Sequence, residues 1–273
     1  MYYMKSELND MSDKLKNKSD RLTEGLAKSL FSGQTRPNEL LPTEAELGQR
    51  YDVSRPTIRN RLEEFANYGI IRRQPGQGTR VLPYSEWNIL SEQVTSWISQ
   101  YAEDDLPFFH ETLKFRSLIE PIVSAEAAIK AQADDLMHIE RGIIGMEKAV
   151  EDPDFCFEGQ HYNEWDASFH EAIYRASRSM MWGHLAAVVR PTLLRIAETS
   201  LDKQQLIEKS LPAHRQVFEA IRRQQPRRAY DLAREILVLG AAESNWKDQF
   251  DDAEAVIGSV FGFHLKNNDE DQE

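Results

Sequence analysis

Apolar residues recur at helical spacing through most of the chain. Leu22, Leu26, Leu30 and Phe31 mark one side of a first helix over residues 20–31. Pro42-Thr43 opens a second, running to about Tyr51. Thr43 can cap it, and Glu44 and Glu46 fall in the first turn, where the helix dipole favours carboxylates. After Asp52-Val53, Ser54 caps a third helix on which Ile58, Leu62, Phe65 and Ala66 share a face, with Pro56 where a missing N–H is tolerated. The period then changes. Ile70 to Arg73 and Thr79 to Leu82 are strand candidates, joined by a turn, Gln74-Pro75-Gly76-Gln77-Gly78, with two glycines available for positive φ. Pro83 closes this block, and Trp87, Leu90, Val94, Trp97 and Ile98 predict a linking helix over 85–101. Beyond it there is almost no alternation for strands. Helical segments are expected near 107–131, 133–151, 160–177, 180–200, 203–224 and 226–248, separated by turn signals such as Asp152-Pro153. Ala255 to Phe263 is a short helix candidate before the ending NNDEDQE. The pattern predicts a mainly α chain with one small hairpin. Its parts are a flexible arm (1–19), a compact helix-turn-helix domain with a hairpin wing (20–83), a linker helix (84–105), an all-helical bundle (106–250) and an acidic tail (251–273).

The third helix carries chemistry suited to duplex DNA. Arg55 and Arg59, spaced i, i+4, project from one face, and a guanidinium can bond two acceptors on guanine. Ser54, Thr57 and the backbone N–H groups at the helix start suit phosphate oxygens. Arg72, Arg73 and Arg80 add positive charge on the hairpin. In an arbitrary helix, such arginines would read as a solvated face; beside a tight turn and a basic hairpin they read as a winged helix-turn-helix. The charge distribution agrees. The chain carries a net −12, yet residues 14–82 hold 13 Lys/Arg against 8 Asp/Glu, while the rest holds 20 against 37. A basic module on an acidic body can engage phosphates with one face and stay dissolved through the other. No stretch reaches the roughly 18–20 uncharged apolar residues of a membrane span. The N-terminus lacks the apolar block of a signal peptide, and Cys156 is the sole cysteine, expected as a free buried thiol in a reducing cytoplasm.

LPTEAELG at 41–48, VSRPTIRNRL at 53–62 and GQGTRV at 76–81 together resemble the N-terminal domain of the GntR family of bacterial transcription regulators. The likeness covers roughly residues 20 to 82. It implies operator contacts at Thr43, Ser54, Arg55, Thr57, Arg59 and Gly76. Ala45 departs from the pattern, which often has an operator-contacting arginine there.

In the bundle, three polar groups stand out: Arg116 in LKFRSLIEP with Glu120 one turn on, Asp166 and His170 in DASFH, and His214 in PAHRQVFEAI. A carboxylate and an imidazole at i, i+4 share a helix face and can chelate a divalent cation, which a histidine from another helix can complete. Taken singly, each histidine has an ordinary reading as a satisfied or surface residue. These groups resemble the all-helical FCD ligand-binding domain of FadR-like GntR regulators, over about residues 105 to 245. The resemblance implies an effector pocket of Arg116, Asp166, His170 and His214, with Asp166, His170 and His214 as ligands for zinc, nickel or a similar ion. Ile236 stands where metal-binding members carry a further histidine, as in members that respond to sugar acids such as D-galactonate. A weakly held metal and a metal-free carboxylate pocket both stay open. Arg116, and less directly Arg195, could meet an effector carboxylate, while Trp165 and Trp182 are expected in the core.

The resemblance implies a homodimeric, sequence-specific regulator that binds a near-palindromic operator and is released by a small organic or sugar acid. Two other classes compete: an architectural DNA-binding protein without effector, and a metallohydrolase using Asp166, His170 and His214. The second lacks an evident general base, nucleophile motif or phosphate loop.

Overall fold

The computed structural model describes residues 18–152, 154, 156–199 and 203–242. The expected arm up to residue 17, the tail, the 255–263 helix and the last bundle helix beyond 242 lie outside the described residues. Two compact units divide the chain, one ending at Pro107 and the other starting at Phe108.

In the first unit, α1 (18–31) buries Leu22, Leu26, Leu30 and Phe31 as their spacing requires. Helix α2 (Glu44–Tyr51) starts at a reciprocal cap: the Thr43 N–H donates to Glu46 at 2.7 Å, and the Glu46 N–H donates to the Thr43 hydroxyl at 3.3 Å. Asp52 ends it in the left-handed region, φ 52°, and its carboxylate meets Lys18 at the start of α1. Ser54 caps α3 (Arg55–Asn67), which buries Ile58, Leu62 and Phe65. Strands β1 (Ile71–Gln74) and β2 (Gly78–Val81) pair antiparallel, Ile71 opposite Val81, and Gly76 and Gly78 both take positive φ in the turn and at its exit.

The helix expected over 85–101 starts later. Tyr84–Glu86 forms a single 3-10 turn, Trp87 is extended, and α4 runs only over Glu92–Tyr101. The interruption follows from Trp87. Its indole N–H donates to the Leu82 carbonyl at 3.1 Å, and its ring lies 4.9 Å from both Phe31 and Tyr84. A continuous helix would carry that ring out of its slot. Leu90, expected on the apolar face, is 66% exposed. Helix α4 returns to the same core, with Trp97 stacked on Phe65 at 4.7 Å and 7°.

The second unit packs α5 (Pro107–Lys130), α6 (Ala133–Val150), α7 (Tyr162–Ala176), α8 (Met180–Thr199), α9 (Lys203–Arg222) and α10 (Pro226–Ala242). Two glycines let α6 lie close against α7. A Cβ on Gly145 would stand 2.1 Å from the Trp165 ring, and one on Gly142 would stand 2.8 Å from the Phe169 Cβ. Glycine costs a helix about 1 kcal/mol relative to alanine, here offset by packing that fixes α7 and its polar residues. The bundle also holds a minimal hairpin, β3 (Cys156–Phe157) with β4 (Gln160–His161), too short for alternation to announce. Cys156 on β3 is a free thiol but only half-buried, less enclosed than expected. Phe157 packs on Trp165 and accepts its indole N–H at 3.2 Å. Trp165 and, less deeply, Trp182 do belong to the core.

Candidate DNA-reading surface and effector site

On the first unit, capping has positioned the N-terminal turn of α3. The Thr57 N–H donates to the Ser54 hydroxyl at 3.4 Å and the two hydroxyls lie 2.8 Å apart. Arg55 is exposed and forms no ion pair among the described residues. Its neighbours are engaged. Glu44 of α2 accepts from Arg59 at 3.0 Å and from Arg73 at 2.8 Å, tying α2, α3 and the wing together. Arg59 nevertheless leaves 61% of its side chain exposed. Arg72 pairs with Glu86 at 3.0 Å, and Arg80 donates to the Asn38 carbonyl. Arg61 turns toward α1, donating to the Ser19 hydroxyl at 2.9 Å and to Glu64 at 3.0 Å. The wing therefore offers less uncompensated charge than its arginine count suggests, and Arg55 stands out. Gly76 sits at an exposed hairpin tip with open space where a Cβ would be. Thr43 is held in its own cap, and Ala45 is exposed beside it.

On the second unit, helical spacing and packing bring Arg116, Asp166, His170 and His214 around one cavity of about 50 Å³. Ile236 is also on its wall, with Tyr162 and Ser210, which sequence reasoning had passed over. Both were accessible by spacing: Tyr162 precedes Asp166 by one helical turn, and Ser210 precedes His214 by one. Their hydroxyls lie 3.2 Å apart. Arg195, by contrast, packs its guanidinium 5.7 Å from the Phe109 ring centre.

Glu120 organises the site more than its place in the sequence implied. Arg116 and Glu120 are buried together, with Nε to Oε1 at 2.6 Å and Nη2 to Oε2 at 3.4 Å. The second Glu120 oxygen also lies 3.0 Å from His170 Nδ1. Burial alone would push the Glu120 carboxyl up, but the Arg116 and His170 charges and hydrogen bonds outweigh it and hold it at about 2. Burial likewise opposes ionisation of Asp166, and His214, then His170 and Arg116, reverse that and lower it. Tyr174, one turn beyond His170, is raised well above the ordinary phenol range by burial and by Glu120.

The hydrogen-bond partners assign the imidazole tautomers. His170 Nδ1 donates to ionised Glu120, and His214 Nδ1 donates to the Ser210 carbonyl at 2.7 Å, since a carbonyl can only accept. A neutral ring then keeps a lone pair on Nε2, whereas a protonated ring, whose charge helps lower Glu120 and Asp166, donates from Nε2 instead. The two Nε2 atoms converge on an ionised carboxylate: His214 Nε2 is 2.8 Å from Asp166 Oδ1, His170 Nε2 is 3.9 Å from it, and the two nitrogens are 3.4 Å apart. With both rings neutral, three acceptors would face one another, so the cluster requires positive charge, an extra proton on an imidazole or a cation. The three edges come near a cation site: a point about 2.0 Å from each ligand atom exists only in their common plane, and a tetrahedral ion would need the 2.8 Å edge to open to about 3.3 Å. Among the described residues, this is the cluster of histidine and acidic groups close enough to hold an ion. Glu120 and the Ser210 carbonyl supply the outer hydrogen bonds that orient ligating imidazoles.

This ionised core makes the second unit acid-sensitive. A folded carboxyl held near 2 against 4.5 in a free chain contributes stability present above the unfolded value and lost as pH falls through the folded one. For Glu120 that is about 3 kcal/mol, an order-of-magnitude figure. Urea titrations followed by far-UV circular dichroism should show the unfolding midpoint falling steadily between about pH 4.5 and 2. A midpoint unchanged over that interval would contradict the arrangement.

The comparisons with known proteins agree with both units. Residues 18–81 match the model for bacterial regulatory proteins of the gntR family, and residues 111–239 match that for the FCD domain. The galactonate operon transcriptional repressor of Escherichia coli K12 is 27% identical over 209 residues, 76% of this chain and 88% of that protein. The uncharacterized HTH-type transcriptional regulator YieP of the same organism is 29% identical over 210 residues, 76% of this chain and 86% of its own. The solved structure of Lar, described as controlling the Listeria monocytogenes agr system, is 13% identical and covers 87% of this chain and 97% of its own, with a TM-score of 0.54, a likeness of fold alone. FCD domains of this family can bind metals, and family members bind DNA operators and typically act as dimers. No helix among the described residues is long and apolar enough to cross a membrane. A capped reading helix with a wing, followed by a helical unit built around a buried polar cavity, is thus matched domain for domain: the chain belongs to the gntR family of bacterial transcription regulators, in the branch carrying an FCD domain, and it is a DNA-binding regulator of transcription.

Proposed function

We propose that the chain is a homodimeric repressor whose two winged helices grip the half-sites of a near-palindromic operator, and which leaves DNA when a small organic or sugar acid binds the second unit beside a divalent cation held by Asp166, His170 and His214. On this reading Arg55 and Arg59 read bases, while Thr43, Ser54, Thr57 and the Gly76 backbone meet phosphates. The observation that carries the effector site is the convergence of His170 Nε2, His214 Nε2 and Asp166 Oδ1, all within 3.9 Å of one another, on the wall of a buried cavity. A bound cation would supply the positive charge to which an effector's carboxylate and hydroxyl oxygens are drawn. Ile236 leaves one side of the set without a ligand, so an effector oxygen could complete it. The similarity to a repressor named for galactonate supports a sugar acid as the class to try first.

Cavity size bears on mechanism. A space of about 50 Å³ admits an ion with a few waters, whereas pockets for small-molecule ligands span roughly 300–1,000 Å³. A six-carbon acid would have to part the apolar wall formed by Leu193, Ile196 and Leu237. Binding would then favour a different helix arrangement, and only such differential affinity can shift operator occupancy.

His214→Ala tests the reading. The variant should bind operator as the parent does, lose stabilisation by zinc or nickel by a factor on the order of 100 in affinity, and no longer release DNA with effector. Thermal-shift screening of sugar acids, with and without a chelator, identifies the ligand class. A His214→Ala protein that still responds fully removes His214 from the site. A stabilising acid that survives chelation would replace the cation with a direct carboxylate pocket.

A further inference from the structure

Helix α5 is apolar on two sides. One side faces the core and carries Arg116 and Glu120. The other holds Phe115, Leu118, Ile122, Ala125 and Ile129, at alternating intervals of three and four residues; Leu118, Ile122 and Ile129 are 40%, 42% and 63% exposed, and Phe115 and Ala125 half-buried. A helix apolar around its circumference is ordinarily buried on every side. The 3–4 alternation is the spacing with which one helix meets another across a straight seam. A repeat this regular is not required by solvent exposure.

We infer that this outer stripe of α5 pairs antiparallel with the same stripe of a second copy of the chain, forming the twofold contact of the helical units. The stripe is self-complementary in one register. Setting Leu118 against the partner's Ile122 sets Phe115 against the partner's Ala125, large against small, as interdigitation needs. The ends complement each other too. The stripe begins at exposed Glu111 and ends beside Lys130, whose ammonium reaches Glu126 at 2.7 Å within the helix. Antiparallel packing brings Glu111 next to the partner's Lys130, whereas parallel packing stacks like charges at both ends and aligns the helix dipoles. The same helix would then link the effector site to the twofold: its inner side holds Arg116 and Glu120, its outer side the partner.

This inference rests on the dimeric reading above and is tested separately from it. Sedimentation of the full-length protein over a concentration series first establishes whether the parent dimerises; a monomer throughout overturns both readings. In a dimeric parent, Leu118→Glu and Ile122→Glu are each expected to raise the dimer dissociation constant on the order of a hundredfold, since each would bury an unpaired charge. Both sites are exposed in one copy, so circular dichroism should be unchanged. In a Cys156→Ser background, Ile122→Cys should be joined across the dimer by a short bis-maleimide, and Ile129→Cys should not, because the antiparallel register separates the two copies of residue 129. Cross-linking at both positions would mean a parallel pair and overturn the register. A dimer that survives both glutamates and is joined at neither cysteine would leave the dimeric regulator standing and place its contact elsewhere.

Discussion

Glu120→Ala is expected to destabilise the helical unit by about 3–5 kcal/mol, the typical cost of leaving one partner of a buried ion pair uncompensated. Arg116 is 3% exposed and its first hydrogen bonds go to Glu120, so the truncation strands a guanidinium among Leu113, Tyr162 and Ile236 on the cavity wall. The loss should appear as a fall in the urea midpoint at neutral pH. Stability within 1 kcal/mol of the parent would show that solvent or another group satisfies Arg116. A double variant, Arg116→Met with Glu120→Met, separates the two roles of Glu120. Replacing both members of a buried pair with apolar residues is often neutral or stabilising, so the midpoint should recover. Metal affinity should not recover. His170 Nδ1 would still lack the carboxylate that fixes its tautomer, and loss of such a partner typically costs about 10–100-fold in affinity.

That dependence on Glu120 marks where the sequence stopped being informative. Asp166 and His170 were legible as a pair because one helix at i, i+4 sets their side. His214 could be nominated but not located, since bringing α9 against α7 depends on packing that no local period encodes. The same holds for Gly142 and Gly145. Within a helical pattern they read as weak points, and their reason is visible only when Phe169 and Trp165 arrive from α7. In the first unit nearly every element was legible: caps, a two-glycine turn and a four-residue apolar stripe each act within a few residues. The failure there was Trp87, whose helical spacing with Val94 and Ile98 was real but overridden by a slot beside Phe31. Arginines were misjudged for a similar reason. Arg61 and Arg73 count as positive charge in a sequence, yet in the fold they meet Glu64, Glu44 and Glu63. The outer stripe of α5 was hidden by its inner one, because a helix apolar on both sides shows little amphipathic contrast.

Arg55→Ala should weaken binding to the cognate operator by about 1–3 kcal/mol, some 5- to 150-fold, the discrimination carried by one bidentate arginine–guanine contact. The expectation follows from what the fold does with its arginines. Arg59 and Arg73 share Glu44, Arg72 has Glu86, and Arg61 faces α1, leaving Arg55 exposed at the first position of α3 with no ion pair among the described residues to break before it engages a base. Arg61→Ala is the matched control. It removes the same charge from the same helix, yet should shift operator affinity only through general electrostatics, within about threefold at moderate salt. Arg55→Lys sharpens the assignment, because an ammonium restores the charge but not the planar two-donor geometry; binding to random duplex should return while preference for the operator does not. Fluorescence anisotropy on operator and scrambled duplexes at two or more salt concentrations reads all three. If Arg55→Ala weakens both duplexes equally and Arg55→Lys restores both, Arg55 serves a phosphate, and base reading falls to Arg59 once Glu44 releases it.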